Sequence, residues 1–348
     1  MQAKHFFIAT LTAALCMVAG MWALAYWLQP LHGDLTRIGG FAEREFGGNA
    51  PMAEFRPTLA TFGPYEHAAD ILVIGDSFAN VWPHQQWQNW LALKTGWRIH
   101  TLDVHKVNLD TLLSSEIYRR SPPRIVIWNV VERDLVDEYA RGSGTCEMRP
   151  PQSASRPLPI QPRGNPPTLA SRPAYEGLNP GFVRTWAWHS FSRHILWRNT
   201  SDALIYPLSR GDLFTSKASD RLLVYRNDLR KSGWRSEDLA RIRSGFADIA
   251  DRVQANGITR LITAIAPDKS SIYRPWLISP SLLPESRMAA LLASFPATDA
   301  RLDQVLQRAV DSGTRDVYMP NDTHWNATGQ KLVAEAILAT LTAEGLAQ

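Results

Sequence analysis

The sequence is poor in cysteine and has no long block of charges of one sign. Of its two cysteines, Cys16 lies within an apolar N-terminal run, so we expect no disulfide between Cys16 and Cys146. Cysteine and histidine spacings typical of zinc sites are absent, and we expect neither a metal nor a cofactor. The net charge of +4 is dispersed, without a run of about five or six like charges, so we expect no nucleic-acid partner.

One long apolar run is present, at residues 6–28. It carries no charge, and it exceeds the ~20 residues that cross a bilayer core. Trp22, Tyr26 and Trp27 near its end suit a membrane interface. We therefore predict that residues 1–28 are a cytoplasmic tail and a single transmembrane anchor in the inner (cytoplasmic) membrane, with the rest in the periplasm. A cleaved signal peptide is the alternative, because Ala23-Leu24-Ala25 resembles a cleavage site.

Composition divides the remainder of the chain. Residues 29–69 are rich in glycine and proline, which predicts a tether and an irregular lead-in. Residues 70–348 alternate between β-branched runs and amphipathic stretches, which predicts one α/β domain with a parallel sheet flanked by helices. Prolines crowd together at residues 149–180, which predicts an extended surface insertion, such as a lid or a partner-binding loop. Residues 317–319 are the last predicted strand.

A buried-looking run, Ile71-Leu-Val-Ile74, ends abruptly at Gly75-Asp76-Ser77. This pattern predicts a strand, a tight turn and a helix, with Ser77 in the turn. The carboxyl ends of parallel strands are where sites form, and a helix that begins there points N–H groups at a developing anion. The serine could equally serve only to cap the helix.

A serine nucleophile needs a base, and Asp322-Thr323-His324 offers one in a polar turn before the last helix. Asp322 could instead be a helix cap. A second Asp-x-His, Asp103-Val104-His105, has the same spacing. The pair at 322–324 stands in the turn before the last helix, and we predict that His105 lies at the surface or only supports the residues that contact substrate.

Gly75-Asp76-Ser77 and Asp322-Thr323-His324, in this order, resemble the first and last blocks of the SGNH hydrolases. The resemblance implies a flavodoxin-like fold, with Ser77 as nucleophile, His324 as general base and Asp322 orienting the imidazole. It also implies oxyanion donors from the Ser77 N–H, from Leu109 where the family has glycine, and from Asn129 after the third strand. Asn129 could equally be a simple strand-end residue.

Three further segments carry a narrower resemblance. Residues 132–135 with the preceding Ile127-Trp128, residues 266–273 and residues 322–325 are similar to exported polysaccharide O-acetyltransferases of the alginate acetylation type, although here the serine precedes the Asp-x-His block. Four residues just after strand ends are candidates for substrate binding: Glu132, Arg133, Lys269 and Tyr273. Glu132 or Asp268 could instead form a structural ion pair with Arg133 or Lys269.

The resemblance implies a membrane-anchored, exported O-acetyltransferase that acts on an extracytoplasmic polysaccharide. Its acetyl donor would be a multi-pass membrane acyltransferase, because acetyl-CoA is not available outside the cytoplasm. An SGNH esterase for a carbohydrate or lipid would use the same three residues. A non-catalytic protein of polysaccharide acetylation, which only binds glycan or a partner, is the third possibility.

Overall fold

A six-stranded parallel sheet forms the centre of the chain. The computed structural model describes residues 2–28, 33–139, 157–170 and 179–348. The sheet has the order β10-β9-β5-β3-β4-β2. The strands of the described residues are β1 (Met52–Glu54), β2 (Thr61–Phe62), β3 (Ile71–Gly75), β4 (Ile99–Asp103), β5 (Ile125–Asn129), β6 (Thr168–Ala170), β7 (Ala203–Pro207), β8 (Arg221–Tyr225), β9 (Arg260–Thr263) and β10 (Thr298–Asp299).

Helices cover both faces of this sheet. Their bounds are α1 (Gln2–Leu28), α2 (Asp34–Gly39), α3 (Glu43–Phe46), α4 (Ser77–Asn80), α5 (Trp87–Thr95), α6 (Leu109–Ser114), α7 (Glu116–Arg120), α8 (Leu135–Tyr139), α9 (Pro180–His194), α10 (Ser236–Gln254), α11 (Lys269–Tyr273), α12 (Met288–Leu292), α13 (Leu302–Asp311) and α14 (Ala327–Ala343).

The central strand β3 is buried on both faces, which explains its unbroken apolar sequence. Ile71 and Val73 pack in the layer of α5, α13 and α14. Leu72 and Ile74 point the opposite way, into the layer of α6, α7, α10 and α12. Each of these side chains stabilises the fold by about 1.5–3 kcal/mol through burial.

The strand order creates a switch point at β3. The chain passes from β3 to β4 on one side and then to β5 on the other. The strands β4-β3-β5-β9-β10 follow the flavodoxin-like order 2-1-3-4-5, and β2 extends the sheet beyond β4. The predicted fold class is therefore confirmed: a parallel sheet flanked by helices, with an apolar N-terminal helix. A crevice at the carboxyl end of β3 is the expected place for a site.

The segment predicted as a tether is folded where the structure describes it. Residues 33–69 contain α2, α3, β1 and the sheet strand β2, and Leu35 and Phe46 pack against the β7–β8 hairpin. The prediction for 29–69 was wrong in this part, because glycine and proline punctuate short elements here without preventing them. Residues 29–32 lie outside the described residues.

The N-terminal helix is long and apolar enough to cross a membrane, with a mean hydropathy of 2.0 in an 18-residue window within residues 3–28. Its last turns pack against the domain: Leu28 contacts Phe182 of α9, and the Arg44 guanidinium lies 4.1 Å from the Trp27 ring. The end of the helix therefore packs against α3 and α9.

The proline-rich insertion is described only in part. Residues 157–170 run extended over the surface, where Leu158 bonds to Leu346 and Gln348, and β6 pairs with β1. The remaining predicted positions, 149–156 and 171–178, and also Cys146, lie outside the described residues.

The last predicted strand, at residues 317–319, is not a strand of the sheet. Tyr318 makes an isolated bridge with Trp325, and β10 forms the edge of the sheet instead.

Gly75 at the end of β3 offers a test of the close packing at the switch point. A Cβ atom there would lie 2.6 Å from the Ala79 Cβ and 2.7 Å from the Asn129 carbonyl oxygen. We expect Gly75→Ala to lower the free energy of unfolding by about 1–3 kcal/mol, because the helix or the strand must shift. Urea unfolding in one detergent, followed by tryptophan fluorescence, measures the loss. Gly233→Ala is the control, since its Cβ would meet nothing within 4 Å and should cost under about 0.5 kcal/mol. Equal effects of the two changes would contradict the expectation.

Candidate active site

Ser77 is the first residue of α4, directly after the carboxyl end of β3. Asp76 fixes this turn: its buried carboxylate accepts hydrogen bonds from the Phe78 N–H at 2.8 Å and the Val131 N–H at 2.6 Å. The first N–H groups of a helix have no partner within the helix. The turn thus presents the Ser77 hydroxyl and an N–H together at the switch point.

His324 and Asp322 lie in the loop before α14, and the structure brings both to Ser77. His324 Nε2 lies 2.9 Å from Ser77 Oγ, and His324 Nδ1 lies 2.7 Å from Asp322 Oδ1. The carboxylate faces one ring nitrogen and the hydroxyl faces the other. This is the order in which a carboxylate fixes the tautomer of a base that accepts a serine proton.

Two elements hold the loop that carries this pair. The Lys269 ammonium, buried at the start of α11, donates to the carbonyl oxygens of Met319, Pro320 and Asp322 at 2.7, 2.9 and 3.1 Å. From the opposite side, the Asp34 N–H donates to Asp322 Oδ2 at 2.9 Å. Lys269 binds the main chain of the loop, and the Asp34 N–H binds the Asp322 carboxylate. Together the two contacts set the position of Asp322.

The charges of the pair are matched. Burial opposes the imidazolium, but Asp322 outweighs it and raises the pKa of His324. Burial likewise opposes the Asp322 carboxylate, but His324 outweighs it and lowers the pKa of Asp322. Burial and the neighbouring Asp322 raise the pKa of Asp34 to about 6. Burial lowers the pKa of Lys269 to about 7, although Asp322 opposes this shift.

Aromatic rings surround His324. The Phe78 ring centroid lies 4.8 Å from that of the imidazole, and the Trp82 ring meets it edge-on at 5.9 Å. Trp82 has a left-handed backbone, with φ of 53°, which is costly for a bulky residue and typical of functional sites. Both rings therefore pack against the imidazole.

A cavity of about 940 Å³ opens beside Ser77. Phe62, Tyr65 and Leu102 supply apolar wall, and Asp103 and Lys106 supply charge. Such a mixture of apolar surface and a few polar groups is typical of a small-molecule site.

The two other predicted oxyanion donors are placed differently. Asn129 is fully buried, with Nδ2 bonded to the Ala264 carbonyl at 2.5 Å and Oδ1 near the Trp87 indole N–H at 3.3 Å. The Asn129 amide is thus engaged by Ala264, which follows β9, and by Trp87 of α5, and its role as an oxyanion donor stays a prediction. The Leu109 side chain packs in the core; its N–H lies in the first turn of α6, beside the cavity residue Asn108, and its role stays a prediction.

The four predicted substrate residues are buried. Glu132, Lys269 and Tyr273 have no more than 1% of their surface exposed, and the Arg133 side chain is 10% exposed. This corrects the expectation of direct substrate contact. The alternative of a structural ion pair is what the structure contains: Arg133 Nη1 lies 3.1 Å from Asp268 Oδ1.

Lys231, which the sequence analysis missed, completes this buried cluster. Its ammonium lies 2.6 Å from Asp268 and 3.2 Å from Glu132. Burial opposes the Glu132 carboxylate, but Lys231 outweighs it and lowers the pKa of Glu132. Burial also disfavours the Lys231 ammonium, but Asp268 and Glu132 outweigh it and raise the pKa of Lys231.

The second Asp-x-His pair is not arranged as a dyad. The Asp103 carboxylate accepts the His105 backbone N–H at 3.1 Å, while the His105 ring lies 3.5 Å from Glu138. His105 is exposed, as predicted, at the rim of the cavity.

One group of ligand-type atoms occurs at the site. Atoms of Asp34, Asp322 and His324 lie within 4.8 Å of one another. The Asp322 oxygens and both nitrogens of His324 already face hydrogen-bond partners, so a cation would have to compete with the Ser77–His324–Asp322 series.

Asp34, Trp82 and Lys231 are site residues that sequence reasoning did not find. Trp82 follows Ser77 closely enough that a search of the turn would include it. Asp34 and Lys231 carry no such signal, since 288 and 99 residues separate them from the partners Asp322 and Glu132.

A flavodoxin-like sheet with serine, histidine and aspartate joined at its carboxyl edge is the arrangement that the predicted resemblance to the SGNH hydrolases implies. Residues 217–348 match the family model of the SGNH hydrolase-like domain, acetyltransferase AlgX. The match confirms the predicted similarity to SGNH proteins of the alginate-acetylation type and supports an acyltransferase or esterase activity. The matched segment contains Asp322 and His324, while Ser77 precedes it. Comparison with curated proteins and with solved structures finds no match.

The charge balance at His324 can be measured directly. We expect the pKa of His324 to lie above its ordinary value of 6.5 and to fall in Asp322→Asn, because burial then acts without the carboxylate. Histidine-selective NMR titration, assigned with His324→Gln, follows the shift. Asp103→Asn changes the other Asp-x-His and should leave His324 unaltered. An unchanged pKa in Asp322→Asn would contradict the pairing.

Removal of Lys231 tests the buried cluster. Lys231→Met should lower the free energy of unfolding by about 3–5 kcal/mol, because two carboxylates lose a buried partner. The loss should be larger at about pH 8 than at about pH 5, since protonation relieves the unpaired charge at lower pH. Lys106→Met is the control: the Lys106 side chain is 83% exposed, and its ion pair with Asp103 should contribute under about 1 kcal/mol. A loss for Lys231→Met as small as the control would contradict a structural role.

Proposed function

We propose that the chain is a membrane-anchored, exported O-acetyltransferase that moves acetyl groups, through an acyl-serine, to hydroxyls of an extracytoplasmic polysaccharide. The observation that carries the proposal is the hydrogen-bonded series of Ser77, His324 and Asp322. The similarity of residues 217–348 to the AlgX acetyltransferase domain supports the choice of acetyl transfer.

In the first half-reaction, Ser77 Oγ attacks the carbonyl carbon of the acetyl donor while its proton passes to His324 Nε2. Asp322 stabilises the imidazolium that forms. The Ser77 N–H, at the start of α4, donates to the oxyanion. The tetrahedral intermediate collapses as His324 returns the proton to the leaving group, which leaves acetyl-Ser77.

In the second half-reaction, a sugar hydroxyl replaces the leaving group. His324 takes the hydroxyl proton, the sugar oxygen attacks the acetyl carbonyl, and Ser77 leaves with the proton restored by His324. The cavity beside Ser77 would hold the acceptor. The buried cluster around Lys231 supports α11 and hence the loop of Asp322, so Glu132, Arg133, Lys269 and Tyr273 act as scaffold in this mechanism.

The acetyl group must be supplied outside the cytoplasm. A multi-pass membrane acyltransferase that passes acetyl across the bilayer would meet this need. The helix α1, whose last turns pack against the domain, would keep Ser77 near such a partner.

An esterase uses the same groups, with water in place of the sugar hydroxyl. The fate of the acyl group therefore decides between the two activities. We would incubate the full chain in detergent with a chromogenic acetyl ester, with and without candidate oligosaccharides, and follow both ester loss and sugar mass. Acetate on the sugar would support transfer, and release to water that no sugar alters would favour the esterase.

Variants test the roles of the residues. Ser77→Ala and His324→Ala should each lower the rate by at least about 10³-fold, and the double variant should be no worse than either, because the residues act as a unit. Ser232→Ala, at an exposed serine, is the matched control and should keep full activity. Activity in Ser77→Ala equal to the unaltered chain would overturn the proposal and favour the binding-protein alternative.

A further inference from the structure

Residues 33–36, which follow α1 in the sequence, lie directly against the loop of Asp322 and His324. The N–H groups of Leu35 and Thr36 donate to the Asn321 carbonyl oxygen at 3.1 and 3.3 Å. Any side chain at Gly33 would overlap that same oxygen, so the approach requires glycine. The two segments pack main chain against main chain.

Asp34 makes the contacts closest to the reacting groups, and it makes them in both directions. Its N–H donates to Asp322 Oδ2 at 2.9 Å. Its carboxylate accepts from the Thr323 N–H at 3.0 Å and from Thr323 Oγ1 at 2.7 Å. Thr323 lies between the other two residues in sequence, so these bonds hold the chain on either side of it.

These contacts determine how the Asp322 carboxylate is oriented. Its Oδ1 faces His324 Nδ1 at 2.7 Å and the His324 N–H at 3.0 Å, whereas the Asp34 N–H engages Oδ2. A carboxylate that accepts hydrogen bonds on both oxygens has a fixed plane. A carboxylate that accepts on one oxygen only can still rotate. A rotated Asp322 would misalign the imidazole with Ser77.

A purely local role for Asp34 does not explain this geometry. Acidic residues in the first turn stabilise a helix through its dipole, and Asp34 begins α2. That role needs no contact with Thr323, which lies 289 residues away in sequence. Nor does it need an N–H aimed at the carboxylate that faces His324.

We propose that Asp34 is a positioning residue of the Ser77–His324–Asp322 triad, so that the segment directly after α1 is part of the active site. The inference rests on the proposed function, in that it requires Ser77 to react with the aid of His324. It does not require the acceptor to be a sugar.

The test uses the full chain in detergent and two readouts that need no polysaccharide. The first is hydrolysis of a chromogenic acetyl ester, from which kcat and KM are obtained separately. The second is covalent reaction of Ser77 with a fluorophosphonate probe, whose rate reports the reactivity of the serine and whose final stoichiometry counts intact sites.

Asp34→Ala keeps the N–H that meets Asp322 but removes the carboxylate bonds to Thr323 that hold this N–H in place. We therefore expect Asp34→Ala to lower kcat and the rate of Ser77 phosphonylation by about 10- to 100-fold, with KM and the stoichiometry little changed. Asp34→Asn should recover part of the loss, because its amide oxygen still accepts the Thr323 N–H. Thr323→Val should lose several-fold, because it removes the Oγ1 bond to Asp34 and also the contact of Oγ1 with His324 Nδ1 at 3.3 Å. Adding it to Asp34→Ala should cost less than the sum of the two single losses, since the two changes share one interaction. Arg37→Ala, at an exposed position of α2, is the matched control.

Unaltered kcat in Asp34→Ala would overturn the inference, as would a fall in stoichiometry that accounts for all of the lost rate. If Asp34→Ala does not fold, Thr323→Val decides, and a wild-type rate in that variant would also overturn the inference. A chain that reacts at Ser77 yet acetylates no sugar would contradict the proposed transfer and leave the positioning role intact. An unaltered chain whose Ser77 does not react would overturn both.

Discussion

The hydrogen bond between Ser77 Oγ and His324 Nε2 joins two segments that are far apart in the sequence. The surrounding structure keeps these two atoms 2.9 Å apart. One loop leaves the central strand β3 and is fixed by Asp76. The other precedes α14 and has no regular structure of its own. Its geometry therefore depends on donors supplied by other elements.

Some of those donors are backbone N–H groups after α1, and another is a buried charge, which is costly unless it is compensated. Lys269 places its ammonium on three carbonyl oxygens of the loop. The neighbouring α11 residue Asp268 is itself paired with Lys231 and Arg133. The buried charged residues therefore form a continuous series from the carboxyl edge of the sheet to the loop of Asp322, and none of them is exposed. Residues of this kind look like substrate ligands in a sequence, because charged groups at strand ends usually face solvent.

The parts of the site that sequence reasoning predicted are those with local patterns. The apolar run before Ser77 and the polar turn around His324 each predict their own structure, and the strand and helix alternation predicts the sheet. Asn129 shows the limit: its place at the end of β5 was predicted, but the direction of its amide depends on Ala264 and Trp87 from other elements. Asp34 shows a second limit. It begins α2, and elements as short as the six-residue α2 or the two-residue β2 have no hydrophobic periodicity from which they could be predicted.

The separation of Ser77 from His324 also affects synthesis of the protein. A ribosome adds about 5–20 residues per second, so the 247 residues between Ser77 and His324 take roughly 10 to 50 seconds to complete. During that time Ser77 exists without His324, and α14, which follows His324, is not yet made. Under the proposed mechanism, the serine of an unfinished chain is therefore inert, and its reactivity reports that the loop of His324 has been synthesised and has docked.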